Sequence, residues 1–194
     1  MDATLDWTQQ LLEQLTWHWD AQARPRLDGL DDAEYLWEPV PDCWTIRPRG
    51  TGRMMEVGTG PFVIDFAYPE PSPPPVTTIA WRLAHLNVGV LGDRNARYFG
   101  GPPISYPTYD YPASADVALA ALDEGYRIWI EGVRGLGAEG LSQRCREQGW
   151  EQASMATLVL HIHRELIHHL AEIALLRDLY RASGGTGAAL GGAA

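Results

Sequence analysis

The sequence contains no lysine, so all 15 of its cationic side chains are arginines. This absence excludes Schiff-base chemistry and any phosphate-binding loop that depends on a lysine. Against the arginines stand 25 acidic side chains, which leave a formal net charge of -10. Because binding to nucleic acid and to anionic lipid depends on clustered basic residues, we expect neither nucleic acid nor a membrane surface as a partner.

Cysteine and long apolar runs are also scarce. The two cysteines, Cys43 and Cys145, are too few for a disulfide framework, and the opening residues lack the basic and apolar regions of a signal peptide. Charged residues interrupt every apolar stretch before it reaches the length of a membrane span. We therefore expect a protein of the cytoplasm.

Four segments show the pattern of amphipathic helices, with apolar residues at steps of three and four. We predict helices at residues 4–22, 77–99, 115–137 and 154–182. Helices of this number and length predict an all-α fold, an antiparallel four-helix bundle, in one domain over residues 1–183. The Gly- and Ala-rich residues 184–194 predict a flexible tail. Trp7, Trp19 and Trp129 lie on the apolar seams, so we expect them in the core.

The first connection between helices, residues 23–76, is unusually long. It contains a predicted short helix at residues 31–37 and two strand-like runs, 44–47 and 62–66, which predict a small β-hairpin. A connection of this length in a compact bundle is typical of a lid or of the wall of a site.

Histidines are concentrated in the fourth predicted helix, where four of the six lie within nine residues. Nearby, Glu165 and His169 occupy positions on an apolar seam and are four residues apart, so both side chains leave the same face of the helix. A buried carboxylate is costly unless it is paired or bound to a metal. The pair therefore predicts a metal site, in which a carboxylate and an imidazole bind one cation from adjacent turns.

A third ligand must come from another helix. His85 is the best candidate because it lies among apolar residues in the middle of the second helix, and His18 in the first helix is the alternative. Two histidines and one carboxylate are compatible with zinc, nickel, iron and manganese. We expect Glu172, one turn beyond His169, to accept a hydrogen bond from a ligand imidazole.

A purely structural interpretation of the same helix remains open. Protonated histidines in the C-terminal half of a helix interact favourably with the helix dipole. Glu165 could in turn form an ion pair with a neighbouring cationic side chain on a solvated face of the helix. Arg177 and Asp178 predict a structural ion pair. The zincin pattern H-E-x-x-H is not present, so the spacing does not favour a metalloprotease.

Three segments resemble the DinB-like superfamily. Residues 161–180 resemble its last helix, residues 78–86 resemble its first metal-ligand segment, and residues 44–48 (Trp-Thr-Ile-Arg-Pro) resemble a short element that precedes it. The resemblance implies an antiparallel four-helix bundle, often dimeric, with a divalent metal held by three residues. In the branch of mycothiol-dependent maleylpyruvate isomerases the ligands are His, Glu and His, and those motif positions fall here on His85, Glu165 and His169.

The resemblance also implies an activity. Characterised relatives use the metal with a low-molecular-weight thiol, such as mycothiol or bacillithiol, for thiol transfer or thiol-assisted isomerisation. We therefore expect a zinc- or nickel-dependent enzyme with a small-molecule substrate, and a homodimer. The alternative is a non-catalytic, stress-related protein that binds a metal or a small ligand. A DNA-associated stress protein is suggested only by the family name, and the net charge of -10 argues against it.

Four further residues are candidates for a pocket near the metal. Trp81 and Trp44 are candidates for its aromatic wall. Arg82 and Arg47 are candidates for binding the carboxylates of an anionic substrate, although a structural salt bridge is the commoner role for arginine. The catalytic residues themselves are not predicted.

Overall fold

The first helical segment changes its winding along its length. The computed structural model describes residues 5–52 and 55–186, and its first helix is α1 (Trp7–His18). The Asp6 carboxylate caps this helix by accepting a hydrogen bond from the backbone N–H of Gln9. The chain continues through a π-helical turn, Trp19–Ala23, and a 3₁₀ turn, Arg24–Leu27. The predicted first helix is confirmed, but it begins at Trp7, so residues 5 and 6 are not helical as expected, and residue 4 lies outside the described residues.

A short helix and a small sheet follow in the long connection. The elements are α2 (Asp32–Tyr35), β1 (Ile46–Pro48), β2 (Met55–Val57) and β3 (Phe62–Phe66). The sheet is antiparallel with the order β1-β3-β2, and Ile64 of β3 lies opposite both Ile46 and Val57. The two predicted strands therefore pair, but the first begins at Ile46, and β2 lies between them along the chain, so they do not form the expected hairpin. Strand β2 was not predicted, because its three residues are too few to show alternation.

The second helical segment also combines two kinds of winding. It begins as α3 (Ile79–Ala84), winds as a π-helix over His85–Gly92, and ends as α4 (Asp93–Tyr98). The Thr78 hydroxyl caps its start by accepting a hydrogen bond from the N–H of Trp81. At the end of the π-helix the N–H of Asp93 donates to the carbonyl of Val88, five residues back. The predicted helix is confirmed, but its widened middle was not predicted.

Two long helices complete the chain, α5 (Ala115–Ser142) and α6 (Met155–Ala182). Gly137, where the sequence predicted the end of the third helix, has a φ of 59° and interrupts α5, which then resumes up to Ser142. The Ser154 hydroxyl caps α6 by accepting from the N–H of Thr157. Of the tail that was predicted to be flexible, residues 187–194 lie outside the described part of the chain.

The helices enclose one apolar core. Helix α5 packs against α1 and the second helical segment, and α6 packs against all three. The prediction of a helical bundle is confirmed. Trp129 and Trp19 are buried as expected, but Trp7 is 63 % exposed, because it borders an open groove between the first turn of α1 and the end of α5. Among the described residues no helix has the length and apolar character needed to cross a bilayer.

A buried ion pair joins the last helix to the long connection. Arg177 is 1 % exposed, and its Nε and Nη2 donate to the two carboxylate oxygens of Glu34 at 2.8 and 2.9 Å. Its Nη1 donates to the backbone carbonyl of Asp28. The predicted pairing of Arg177 with Asp178 is wrong, since Asp178 accepts instead from Arg26 at 2.7 Å. The bidentate pair fixes the short helix α2 against α6.

Candidate metal centre

The structure brings three predicted ligands together from two helical segments. His85 comes from the junction between α3 and the π-helix, whereas Glu165 and His169 come from adjacent turns of α6. One ligand atom of each residue lies within 4.8 Å of the others. The two imidazole rings are perpendicular, with their centroids 4.8 Å apart. Two imidazoles and a carboxylate thus converge on one point, while their role as ligands stays a prediction.

Glu172 determines which nitrogen of His169 is free. The Nδ1 atom of His169 lies 2.7 Å from Oε2 of Glu172. A carboxylate can only accept a hydrogen bond, so Nδ1 carries the proton in the neutral ring and Nε2 keeps its lone pair. That Nε2 lies 3.5 Å from Oε2 of Glu165. Two acceptors in this arrangement repel each other unless a cation or a proton lies between them.

His85 is held from two sides. Its ring stacks on Trp81 with centroids 5.5 Å apart, and its Nδ1 lies 2.6 Å from the hydroxyl of Tyr106. Burial raises the pKa of Tyr106 to about 12, so its hydroxyl keeps its proton at neutral pH. Tyr106 belongs to a 3₁₀ turn, Tyr106–Thr108, in the connection between α4 and α5. Sequence reasoning missed this residue because a tyrosine in a loop belongs to no periodic pattern.

A glycine makes the approach of Tyr106 to His85 feasible. Gly89 lies one turn after His85 in the π-helix, and a Cβ atom at this position would collide with the Tyr106 hydroxyl. The absent side chain therefore leaves the space in which the hydroxyl reaches the imidazole. Local π-helical winding is frequent at functional sites, where it re-aims a side chain.

Burial keeps both imidazoles neutral at physiological pH. Desolvation and, to a smaller extent, the nearby His169 lower the pKa of His85 to about 4. Desolvation also lowers the pKa of His169, although its hydrogen bond with Glu172 acts in the opposite direction. For Glu165, burial acts to raise the pKa, but the hydrogen bond from Arg164 and the nearby His161 and His169 outweigh it and lower the pKa. These are the ionisation states that metal ligation requires.

The structural interpretation of Glu165 also has support. Arg164 donates to its Oε1 at 3.1 Å, and Nδ1 of His161 lies 3.6 Å from the same oxygen. The side chain of Glu165 is 25 % exposed, so it is not as deeply buried as the seam predicted. These contacts engage Oε1, whereas Oε2 is the oxygen turned towards His169. One carboxylate thus connects the solvated face of α6 with the candidate centre.

A second cluster of potential ligands lies beside the first. It consists of His168, His169 and Glu172, whose ligand atoms also lie within 4.8 Å of one another. Nε of Arg82 lies 3.1 Å from Oε2 of Glu172, so the guanidinium of Arg82 already supplies a positive charge beside this carboxylate. The cluster is therefore better explained as the hydrogen-bonded support of His169 than as a separate metal site.

The other predicted pocket residues are spread between the centre and the sheet. Trp81 and Arg82 are in direct contact with His85 and Glu172 respectively. The ring of Trp44 lies 5.8 Å from that of Trp81, next to Phe66 of β3. Arg47 forms a bidentate ion pair with Asp65, which is 3 % exposed. Arg47 and Arg82 therefore both form salt bridges, the commoner role for arginine, while their binding of a substrate stays a prediction.

The alternative third ligand does not reach the cluster. Nδ1 of His18 lies 2.9 Å from the amide oxygen of Gln22, one turn along the first helical segment. Of the two histidines considered from the sequence, the structure places His85 with Glu165 and His169.

A helical bundle with a His–Glu–His cluster between two of its helical segments defines the class of this protein. The family model of the DinB superfamily matches residues 14–173, which is most of the chain, and all three cluster residues lie inside the match. The chain belongs to the DinB superfamily. No curated protein and no solved structure matches it.

Proposed function

We propose that this protein binds one divalent metal ion through His85, Glu165 and His169, and that it is a metal-dependent enzyme. The observation that carries the proposal is the pair of facing acceptors, Nε2 of His169 and Oε2 of Glu165, with His85 completing the set. A cation between them turns a repulsive arrangement into an attractive one. Membership of the DinB superfamily supports the same interpretation.

The proposed reaction is thiol transfer to a small-molecule electrophile, or its thiol-assisted isomerisation. A divalent ion bound here would lower the pKa of a thiol or of water and supply a nucleophile at neutral pH. Three protein ligands leave positions open for that nucleophile, as in catalytic zinc sites. Mycothiol or a similar thiol is the proposed cosubstrate, and zinc or nickel the proposed metal.

The surrounding residues fix the orientation of the proposed ligands. Glu172 holds the Nδ1 proton of His169, and Tyr106 occupies Nδ1 of His85. Glu172 thereby leaves Nε2 of His169 free, and Nε2 of His85 is free in the tautomer in which Nδ1–H donates to the Tyr106 oxygen. Both rings are then held in a fixed orientation, so that little freedom is lost when a metal binds. Arg82 in turn orients Glu172, from which its Nε lies 3.1 Å away.

Metal content and thiol turnover test the proposal in two steps. Untagged protein is loaded with zinc or nickel, desalted and analysed by mass spectrometry, beside the His169→Ala variant. We expect one equivalent of metal per wild-type chain and a large loss in the variant. Loaded protein is then assayed for consumption of mycothiol and bacillithiol with a panel of electrophiles.

The outcomes of these two experiments distinguish a metal-dependent enzyme from a non-catalytic binding protein. Wild-type protein that retains no metal would refute the metal site and the enzyme together. Protein that retains metal and is stabilised against heat by it, but consumes no thiol with any electrophile, would favour the non-catalytic metal- or ligand-binding protein. Turnover that persists in His169→Ala would show that the activity does not depend on this site.

A further inference from the structure

A cavity of 690 Å³ lies next to the candidate metal centre. It is bounded by α4, by the connection between α5 and α6, and by the first turns of α6. Its size falls within the range of about 300–1,000 Å³ that is usual for small-molecule sites. The lining residues that bear on its chemistry are Arg94, Glu147, Trp150, Leu160, His161 and Arg164.

Two arginines of the lining connect the cavity with the surroundings of the candidate centre. On one side, Arg164 lines the cavity and donates to Oε1 of Glu165 at 3.1 Å. On the other side, Arg94 lines the cavity and donates to the carbonyl of Gly89, one turn after His85. None of the three proposed ligands is among the lining residues, but a molecule bound at Arg164 would lie one side chain away from Glu165.

The cavity offers a cationic group with unused hydrogen-bonding capacity. Nε and Nη2 of Arg164 are engaged by Glu165 and His161, whereas Nη1 has no partner among the described residues. Both arginines are paired with a carboxylate, Arg94 with Glu147 and Arg164 with Glu165. The unpartnered Nε of Arg94 is buried, whereas the side chain of Arg164 is 69 % exposed. Arg164 is thus the group that an anion can reach, and its Nη1 can donate a charge-assisted hydrogen bond to a carboxylate.

Part of the remaining wall is apolar and exposed. Trp150 and Leu160 are 65 % and 58 % exposed. Apolar surface next to a cavity gains free energy when a ligand covers it. The cavity therefore combines a carboxylate-binding edge near the candidate centre with an apolar surface further out.

We propose that this cavity binds an organic carboxylate with an apolar body, and that such molecules are the substrate class of the enzyme. The assignment as a binding site depends only on the cavity, whereas the assignment as a substrate site rests on the proposed function. The carboxylate pairs with Arg164, and the apolar body covers Trp150 and Leu160. The carboxylate then lies beside the partner of Glu165, at the edge of the adjacent centre.

The binding claim is tested by calorimetry on metal-free protein with two matched probes. The probes are 4-phenylbutanoate and its uncharged amide, 4-phenylbutanamide. We expect the acid to bind about tenfold more tightly than the amide, because a charge-assisted hydrogen bond replaces a neutral one. In Arg164→Gln the preference for the acid should disappear, and in Trp150→Ala both probes should bind more weakly.

Arg181→Gln is the matched control, since Arg181 lies on the same helix, is exposed, and is remote from the lining of the cavity. It should leave both affinities unchanged. Equal binding of acid and amide, no effect of Arg164→Gln, or no binding of either probe at millimolar concentration would overturn the proposal. Because the titration is metal-free, its result is independent of whether the proposed metal site holds, and the two failures are distinguishable.

Discussion

The hydroxyl of Tyr106 lies 2.6 Å from Nδ1 of His85, although 21 positions separate the two residues along the chain. The contact joins the connection after α4 to the candidate metal centre. It depends on Gly89, whose missing side chain leaves the space that the hydroxyl occupies. A residue outside the bundle's helices therefore orients a proposed ligand inside it.

Removing this hydroxyl should weaken metal binding without removing a ligand. In Tyr106→Phe, Nδ1 of His85 loses its partner, so the ring is no longer fixed with Nε2 as the ligand atom. Loss of such outer partners typically reduces metal affinity about 10- to 100-fold. A competition titration with a chromophoric zinc chelator measures the dissociation constant.

Two further variants test whether the loss of affinity comes from the contact between Tyr106 and His85. Gly89→Ala should weaken binding in the same direction, because its Cβ displaces the Tyr106 hydroxyl. Tyr126→Phe is the control: its hydroxyl is also buried but has no hydrogen-bond partner among the described residues, and its ring stacks on Trp19. Equal zinc affinities in Tyr106→Phe and wild type would show that the contact does not support the ligand.

Glu172 provides a second test of ligand support. In Glu172→Ala the Nδ1 proton of His169 loses its acceptor, so we expect zinc affinity to fall about 10- to 100-fold. Glu172→Gln should retain more affinity, since its amide oxygen still accepts that proton. The same chelator competition measures both variants. An unchanged affinity in Glu172→Ala would contradict the role assigned to Glu172.

The local pattern of the sequence was sufficient to place Glu165 and His169 side by side, but not to predict what surrounds them. Glu165 and His169 are four residues apart, and this spacing alone places them on one face of a helix. The contact between Tyr106 and His85 depends on how a Pro-containing loop folds back on the bundle, which no periodicity encodes. The π-helical winding at His85–Gly92 could not be predicted either, because its mostly apolar residues fit a regular α-helix equally well.

Breaking the buried ion pair should strongly destabilise the fold. Arg177→Ala would leave Glu34 buried without its partner, and we expect a loss of about 3–5 kcal/mol in the free energy of unfolding. Arg26→Ala removes a pair whose side chains are 44 % and 55 % exposed, so it should cost at most about 1 kcal/mol. Urea denaturation followed by circular dichroism compares them, and similar losses in both would contradict the burial argument.

This pair shows a second limit of sequence reasoning. Arg177 and Glu34 are 143 residues apart, and nothing near either residue identifies the other. The adjacent Asp178 looked like the natural partner, yet successive residues on a helix point in different directions. Adjacency in sequence therefore predicted the wrong ion pair, whereas helical spacing correctly placed Glu165 and His169 near each other.

Two glycines of α5 should respond in opposite ways to alanine. A Cβ atom at Gly135 would meet no described atom within 4 Å, so Gly135→Ala should stabilise the helix by about 0.5–1 kcal/mol. At Gly132 the Cβ would collide with the ring of Phe99, so Gly132→Ala should destabilise by about 1–3 kcal/mol. Thermal unfolding of both variants measures the difference. Stabilisation by both substitutions would mean that Phe99 does not pack against Gly132.

The central claim is that His85, Glu165 and His169 bind one divalent cation. Anomalous diffraction from crystals of zinc-loaded protein, recorded at the zinc absorption edge, tests it most directly. We predict one strong peak about 2.0–2.2 Å from a nitrogen of each histidine and an oxygen of Glu165. The absence of a peak there, or a single peak held by His168 and Glu172 without His85, would contradict the account.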